Sequence, residues 1–160
     1  MSSNLSLAHR YREVAVKTAS PLQLIVMLYD AAICSIQEAK EQMGRKDIAG
    51  RSRSVNKSIA IISELQSCLN LKAGGEIASS LNQLYDYMKR RIFKANVDQS
   101  IQPLDEIEAL LENLRSAWGE LALQSQGAAA QAVSQGMPNH EMLGTATPAS
   151  IQPKSLNISI

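Results

Sequence analysis

Few residues of this chain are of the types that carry out catalysis or bind metals. Its two histidines, His9 and His140, lie near the two ends of the sequence, away from any mid-helix position from which a histidine accepts a phosphoryl group. Its two cysteines, Cys34 and Cys68, lack the short spacing of a zinc site or a redox pair. No group of histidine, cysteine or carboxylate residues has the spacing of metal ligands. We therefore expect no metal and no cofactor.

Two aspartates are the remaining candidates for acid–base chemistry. Asp30 and Asp86 each follow a Leu-Tyr pair, and two carboxylates on different helices can act as general acid and base. The simpler interpretation is that each carboxylate is solvated or bonded to a nearby tyrosine or lysine. The Gly74-Gly75 pair is an isolated helix start rather than a phosphate-binding loop. The sequence therefore predicts a protein that is not an enzyme.

The elements that position these residues are four predicted amphipathic helices, near residues 20–43, 47–69, 75–95 and 102–121. Short connections between long helices favour antiparallel neighbours, so we predict an all-α fold, an antiparallel four-helix bundle. The expected core consists of one apolar stripe from each helix. The stripes are Ile25, Leu28, Ala32, Ile36, Ala39 and Met43; Val55, Ile59, Ile62, Leu65 and Leu69; Ile77, Leu81, Leu84, Met88, Ile92 and Ala95; and Leu104, Ile107, Leu111, Leu114, Trp118 and Leu121.

Capping residues define most of the predicted helix ends. Ser20 and Asp47 have side-chain oxygens that accept hydrogen bonds from the free amides of a first turn. Pro21 and Pro103 suit the first helical position, where no donor is lost. Gly44 is expected to end the first helix in a left-handed conformation.

Two flanking segments do not fit the bundle pattern. Residues 1–19 have scattered apolar groups and are predicted to form a strap or a short helix, and residues 20–126 form the bundle. Residues 127–160 are rich in Ala, Gln, Ser and Pro, and we expect a flexible tail because they offer little apolar surface to bury. The spaced aliphatic residues between Ile151 and Ile160 either cover a groove of the bundle or belong to an extension without function.

Composition limits the partners and the location. The net charge is +1, which provides no overall field for attracting nucleic acid or anionic lipid. The N-terminus lacks the apolar run of about 7–15 residues that marks a signal peptide, and the aliphatic run at residues 24–28 is too short to span a bilayer. We expect a cytosolic protein with no membrane insertion and with reduced cysteines.

Two sequence blocks resemble a known family. The block TASPLQLIVMLYD, at residues 18–30, resembles the signature of FliS, the export chaperone for flagellin. The block GGEIASSLNQLYDYMKRRIFKAN, at residues 74–96, is similar to the third bundle helix of that family, and Trp118 near the end of the fourth helix agrees. The resemblance extends over about residues 7 to 122, and the tail beyond it departs from the family pattern.

The resemblance implies a function in flagellar assembly. Members of this family bind the disordered C-terminal segment of flagellin on the outside of the bundle, prevent its premature polymerisation and assist its delivery to the flagellar export gate. A tyrosine before the Ala-Ser-Pro sequence covers part of the client groove or contacts co-chaperones in the family, and Tyr11 matches it. Other flagellar chaperones or regulators are further expected partners.

Apolar residues beside the core stripes are the candidates for client contact, because a chaperone must expose apolar ridges. Helical geometry, at about 100° per residue, places them off the stripes of the first three helices. With the N-terminal tyrosine, the candidate set is Tyr11, Leu22, Val26, Tyr29, Ile33, Ile61, Tyr85, Tyr87 and Phe93.

Two alternative functions remain open from the residues. A basic stretch, Arg45–Lys57, is a possible phosphate-binding surface of a helical regulator that binds nucleic acid. The charges of that stretch instead pair with acidic helices or are solvated, because no stacking aromatic residues accompany them. The second alternative is a structural bundle whose spare apolar ridges form a homodimer.

Overall fold

The fold is built from helices throughout the part that the computed structural model describes, namely the backbone of residues 12–135 and the side chains of residues 12–131. A helical segment at residues 12–18 leads into four long helices. We label these α1 (Pro21–Gly44), α2 (Ile48–Ser67), α3 (Gly75–Asp98) and α4 (Gln102–Gln135). The predicted all-α class is confirmed. Tyr11, His9, His140 and the segment from residue 136 onward lie outside the described residues.

The predicted N-caps are confirmed at atomic detail. The Ser20 hydroxyl accepts from the Gln23 amide at 3.3 Å, the Gln23 side chain accepts from the Ser20 amide at 2.7 Å, and Pro21 is the first helical residue. At α2, the Asp47 carboxylate accepts from the Gly50 amide at 2.9 Å. Each contact satisfies an amide that has no partner inside the helix.

The ends of α1 and α4 differ from the prediction. Gly44 is the last helical residue of α1, and the left-handed conformation falls on Lys46, at φ 58°. The Asp47 amide then reaches back to the Gln42 carbonyl at 2.9 Å, so this bond closes the turn two residues later than expected. The fourth helix continues to Gln135, past the boundary at residue 126. Alanine-rich residues 127–130 have high helix propensity, which favours this extension over the predicted tail.

Bonded pairs between helices establish an antiparallel arrangement. Between α1 and α4, Asp30 pairs with Arg115 and Gln37 pairs with Glu108, so the α4 number falls as the α1 number rises. Between α2 and α3, Gln66 pairs with Asn82 whereas Arg51 pairs with Asn96. Helix α1 contacts α2 and α4 most extensively, and α3 has the smaller interfaces with α2 and α4.

Most of the predicted stripes form the core. Their buried members are Ala32, Ile36, Ala39, Met43, Val55, Ile62, Leu65, Met88, Ile92, Ala95, Leu104, Ile107, Leu111 and Trp118. Ile25, Leu28, Ile59, Leu69, Leu81, Leu84 and Leu114 are half-buried and pack against them. Ile77 and Leu121 are exceptions, since 73% and 48% of these side chains are exposed. Each lies near an end of its stripe, where the neighbouring helix does not cover it.

The structure contradicts the placement of two tyrosines beside the core. Tyr29 and Tyr85 are buried, and their hydroxyls share a hydrogen bond across the bundle between α1 and α3. Their apolar rings fill the centre, while the hydroxyl pair satisfies two groups that would be costly to bury alone. Neither side chain is therefore available on the surface for a client.

Helix α1 is the one helix within residues 12–135 that is long and apolar enough to cross a membrane by length and composition alone. The prediction considered only the aliphatic run at residues 24–28, but the small residues that follow are also apolar, so the apolar stretch is longer. A core helix of a soluble protein meets the same criterion, and α1 packs against both α2 and α4.

The two buried phenols predict a loss of stability in alkali. Burial raises the pKa of Tyr29 and of Tyr85, whereas phenols in the unfolded chain ionise near about pH 10. A raised pKa in the folded state contributes stability that is complete below the unfolded pKa and lost as pH rises above it.

We expect Tyr85→Phe to separate this pH effect from general destabilisation. At about pH 8 the variant should be less stable by about 1–3 kcal/mol, because the Tyr29 hydroxyl loses its buried partner. Above about pH 10 its melting temperature should fall less steeply than that of the wild type, because one ionisation has been removed. Circular dichroism melts across this pH range measure both slopes, and parallel slopes would contradict the assignment.

Candidate functional site

Large apolar side chains are exposed at several places on the bundle. Ile77 and Leu123 are the most exposed of them within the described residues, at 73% and 70%. Single apolar residues on a surface are ordinary, but neighbouring ones that line a concave surface indicate a binding site. Two grooves meet that description, one on α3 and one beside the N-terminal segment.

The first groove, which we call the α3 groove, lies on the N-terminal half of α3. It encloses about 420 Å³ and is lined by Glu76, Ile77, Ser80, Leu81 and Leu84. Its apolar members belong to the predicted core stripe of α3. Neighbouring helices therefore cover only part of the α3 stripe, and the residues that they leave uncovered form the groove.

Helix α4 presents matching apolar residues on the side that faces α3. Glu106 marks this side because it accepts hydrogen bonds from Tyr87 and Arg91 of α3. Leu110, Leu114 and Leu121 follow Glu106 on the same helical face by the geometry of about 3.6 residues per turn. The first two are half-buried and Leu121 is exposed. The apolar strip on α4 thus runs from the turn after Glu106 to Leu121.

A polar contact at Glu106 links α3 to α4 within the described residues. Hydrogen bonds from Tyr87 and then from Arg91 lower the pKa of Glu106, so this carboxylate stays ionised at neutral pH. The bonds join the C-terminal half of α3 to the first turns of α4. The exposed side chains of Ile77 and Leu121 lie away from this contact, Ile77 near the start of α3 and Leu121 in the middle of α4. Ile77 lines the α3 groove.

The second groove, which we call the N-terminal groove, lies between the 12–18 segment, α1 and α4. It encloses about 690 Å³. Its lining residues are Ala15, Thr18, Ala19, Gln23, Val26, Met27, Arg115, Ser116, Gly119, Glu120, Ala122, Leu123 and Gln126. The ion pair between Arg115 and Asp30, at 2.8 Å, borders it. The lining combines apolar side chains, such as Val26, Met27 and Leu123, with polar and charged ones.

The sequence-predicted contact residues occupy different environments. Leu22, Val26, Ile33, Ile61 and Tyr87 are half-buried and pack against the core, so each exposes only part of its side chain. Val26 also lines the N-terminal groove. Phe93 is 61% exposed on the outer side of α3. The structure thus brings Val26 to a groove and leaves Phe93 apart from both.

Sequence reasoning missed several of the residues that line the grooves or are exposed beside them. Ile77 and Leu121 have the phase of core residues, but 73% and 48% of these side chains are exposed. Leu123 lies off the α4 stripe by helical geometry. This position could have predicted from the sequence that its side chain is exposed. Met27 likewise faces away from the stripe of α1.

Three residues of the basic stretch at Arg45–Lys57 have side-chain partners in the structure. Arg45 pairs with Glu41 at 2.5 Å, and Lys57 pairs with Glu38 at 3.5 Å. Arg51 is buried and donates to Asn96 at 2.8 Å. The two ion pairs follow the predicted pairing of opposite charges, and both acidic partners lie on α1.

The two aspartates considered for acid–base chemistry have separate structural partners. Asp30 pairs with Arg115, and Asp86 pairs with Lys89 at 3.0 Å and accepts from Gln66 at 3.1 Å. The hydrogen bonds from Lys89 and Gln66 lower the pKa of Asp86, which disfavours a role as proton donor. Within residues 12–135, no three histidine, cysteine or acidic side chains are grouped so as to hold a metal ion.

Comparison with known proteins gives consistent matches. The family described as Flagellar protein FliS matches residues 3–125. The chain is 40% identical over 111 residues to the Flagellar secretion chaperone FliS of Salmonella typhimurium, covering 69% of this chain and 82% of that relative. It is 34% identical over 115 residues to the protein of the same name from Vibrio cholerae (69% and 85%) and 33% identical over 116 residues to that from Bacillus subtilis (72% and 85%).

Exposed apolar side chains should contribute less to folding than those of the core. We predict that Leu121→Ala lowers the free energy of unfolding by less than about 1 kcal/mol, because much of this side chain is already in water. The matched core change Leu111→Ala should cost about 2–5 kcal/mol, because it leaves a buried cavity. Urea unfolding of both variants measures the contrast. Similar losses would show that Leu121 is part of the core in solution.

Proposed function

The chain belongs to the FliS family of flagellar secretion chaperones, and from that premise we propose that it holds the disordered C-terminal segment of flagellin in the cytosol. In doing so it prevents premature polymerisation of flagellin and assists its delivery to the flagellar export gate. The chain acts in flagellar export as a chaperone rather than as an enzyme.

The observation that carries this proposal is the uncovered apolar stripe of the α3 groove. An amphipathic helix binds a groove by placing residues at i, i+3, i+4 and i+7 against apolar side chains. Ile77, Leu81 and Leu84 repeat at that spacing and line the groove. They offer an incoming client helix the surface that a fifth bundle helix would use.

Apolar burial opposes the cost of ordering the client in such a complex. A segment that folds as it binds loses about 2–5 kcal/mol in ordering. Fully burying a Leu or Ile side chain contributes about 1.5–3 kcal/mol, and the exposed parts of Ile77 and Leu121 contribute a share of this beside the client's own apolar residues. The half-buried Leu81 and Leu84 add further apolar contact.

The candidates from the sequence extend the proposed surface. A client that contacts Val26 would occupy the N-terminal groove, and one that contacts Phe93 would reach the outer side of α3. Leu22, Ile33, Ile61 and Tyr87 would contribute their exposed edges. A client that contacts all of these wraps around the bundle rather than filling one groove.

A calorimetric titration with the C-terminal flagellin segment of the same organism tests the proposal. We expect one-to-one binding with a negative heat-capacity change, the signature of apolar burial. Ile77→Asp should weaken binding by about tenfold or more, corresponding to about 1.4 kcal/mol or more. Ile48→Asp is the matched control, because Ile48 is also exposed at the start of a helix but lies outside both grooves.

Each outcome of this titration has a distinct meaning. Equal weakening by Ile77→Asp and Ile48→Asp would contradict the α3 groove as the site. Absence of binding by folded wild type would refute the chaperone proposal for this client. Phe93→Asp, titrated in parallel, should weaken binding only if the client reaches the outer side of α3.

A further inference from the structure

The chain carries its own candidate occupant for a groove in the sequence that follows α4. After Gln135 it continues to Ile160, with Glu141 and Lys154 as the charged side chains of that stretch. Its last ten residues carry spaced aliphatic side chains, Ile151, Leu156, Ile158 and Ile160. The match to the FliS family ends at residue 125, so this sequence is an addition to the shared bundle.

The N-terminal groove lies beside the helix from which this sequence departs. Gly119, Ala122 and Leu123 of α4 line it, and 70% of the Leu123 side chain is exposed. Among the described residues, and apart from the adjoining turns of α4 itself, no atom lies within 4 Å of the place where a side chain on Gly119 would begin. This open position lets a peptide approach the α4 backbone closely.

The connecting length is sufficient for the last ten residues to reach the groove. At a rise of about 1.5 Å per residue, Leu123 lies about 18 Å from Gln135 along α4. Residues 136–150 span up to about 50 Å when extended. Gly136 and Pro138 follow the helix directly, and residues of these types end helices and allow the chain to reverse.

The chemistry of the two partners matches. The groove is lined by the apolar side chains of Val26, Met27 and Leu123 and by the carboxylate of Glu120, while its lining cation, Arg115, is paired with Asp30. The segment offers four aliphatic side chains and one cation, Lys154, between them. The aliphatic residues match the apolar lining, and the charge of the lysine matches that of Glu120.

We propose that residues 151–160 dock in the N-terminal groove of the same chain and compete there with the secretion client. Tethering gives such a segment an effective concentration in the millimolar range, so even a modest intrinsic affinity keeps the groove occupied. A client must then displace the segment. The apparent affinity for the client is the intrinsic affinity multiplied by the fraction of chains whose groove is free. The competition rests on the proposed function, whereas the docking itself does not.

Nuclear magnetic resonance of the full chain tests the docking without any client. The test variant is Leu156→Ser/Ile158→Ser/Ile160→Ser, and the matched control is Ser155→Ala/Asn157→Ala/Ser159→Ala in the same segment. We expect the test variant to shift the methyl signals of Val26, Met27 and Leu123, while the control leaves them in place. Unchanged groove signals in the test variant would overturn the proposal.

Titration of the same two variants with the flagellin segment tests the competition. The test variant should bind about tenfold more tightly than the wild type, because its groove is free, and the control should bind like the wild type. Equal affinity in all three chains would overturn the competition. If none of the three binds the segment, the proposed function fails, and the methyl signals still decide the docking.

Discussion

The hydrogen bond between the buried hydroxyls of Tyr29 and Tyr85 is the contact on which the arrangement of the bundle depends. It joins α1 and α3, which lie diagonally opposite and share little other contact. Two aromatic rings that meet end to end need a wide centre, and smaller residues such as Ala32, Ala39 and Ala95 let the helices approach elsewhere. The pair thus sets the distance of α3 from α1, around which α2 and α4 must fit.

The consequence of this spacing is an unequal bundle. Helix α1 is held on both sides by broad interfaces, and ion pairs such as Lys40 with Glu108 at 2.6 Å reinforce the one with α4. Helix α3 has smaller interfaces and bonds to Glu106 of α4 through Tyr87 and Arg91, in its second half. Its first turns keep Ile77, a residue of core phase, exposed to solvent. The α3 groove thus follows from the limited cover of this helix rather than from an unusual sequence.

This origin explains how much the sequence could predict. The caps at Ser20 and Asp47 depend on local bonds, and the stripes depend on helical period, so both could be predicted from neighbouring residues. Period alone did not reveal that Tyr29 and Tyr85, beside their stripes, turn inward to share a hydrogen bond. Nor did it reveal that Ile77 and Leu121, on their stripes, lack a covering neighbour. Both facts depend on the distance between helices that are remote in sequence.

A secretion chaperone of this design faces a conflict between binding and solubility. Apolar residues able to receive a client also favour self-association when the client is absent, because exposed patches are removed from water by any partner that fits. A bundle can limit this by including charges such as Glu120 and Arg115 in the lining of a groove. The proposed docking of a tethered segment with few charges would solve the same problem more completely, since it would cover the apolar lining at all protein concentrations. The segment would also be released by a client with greater affinity, so the cover need not abolish binding.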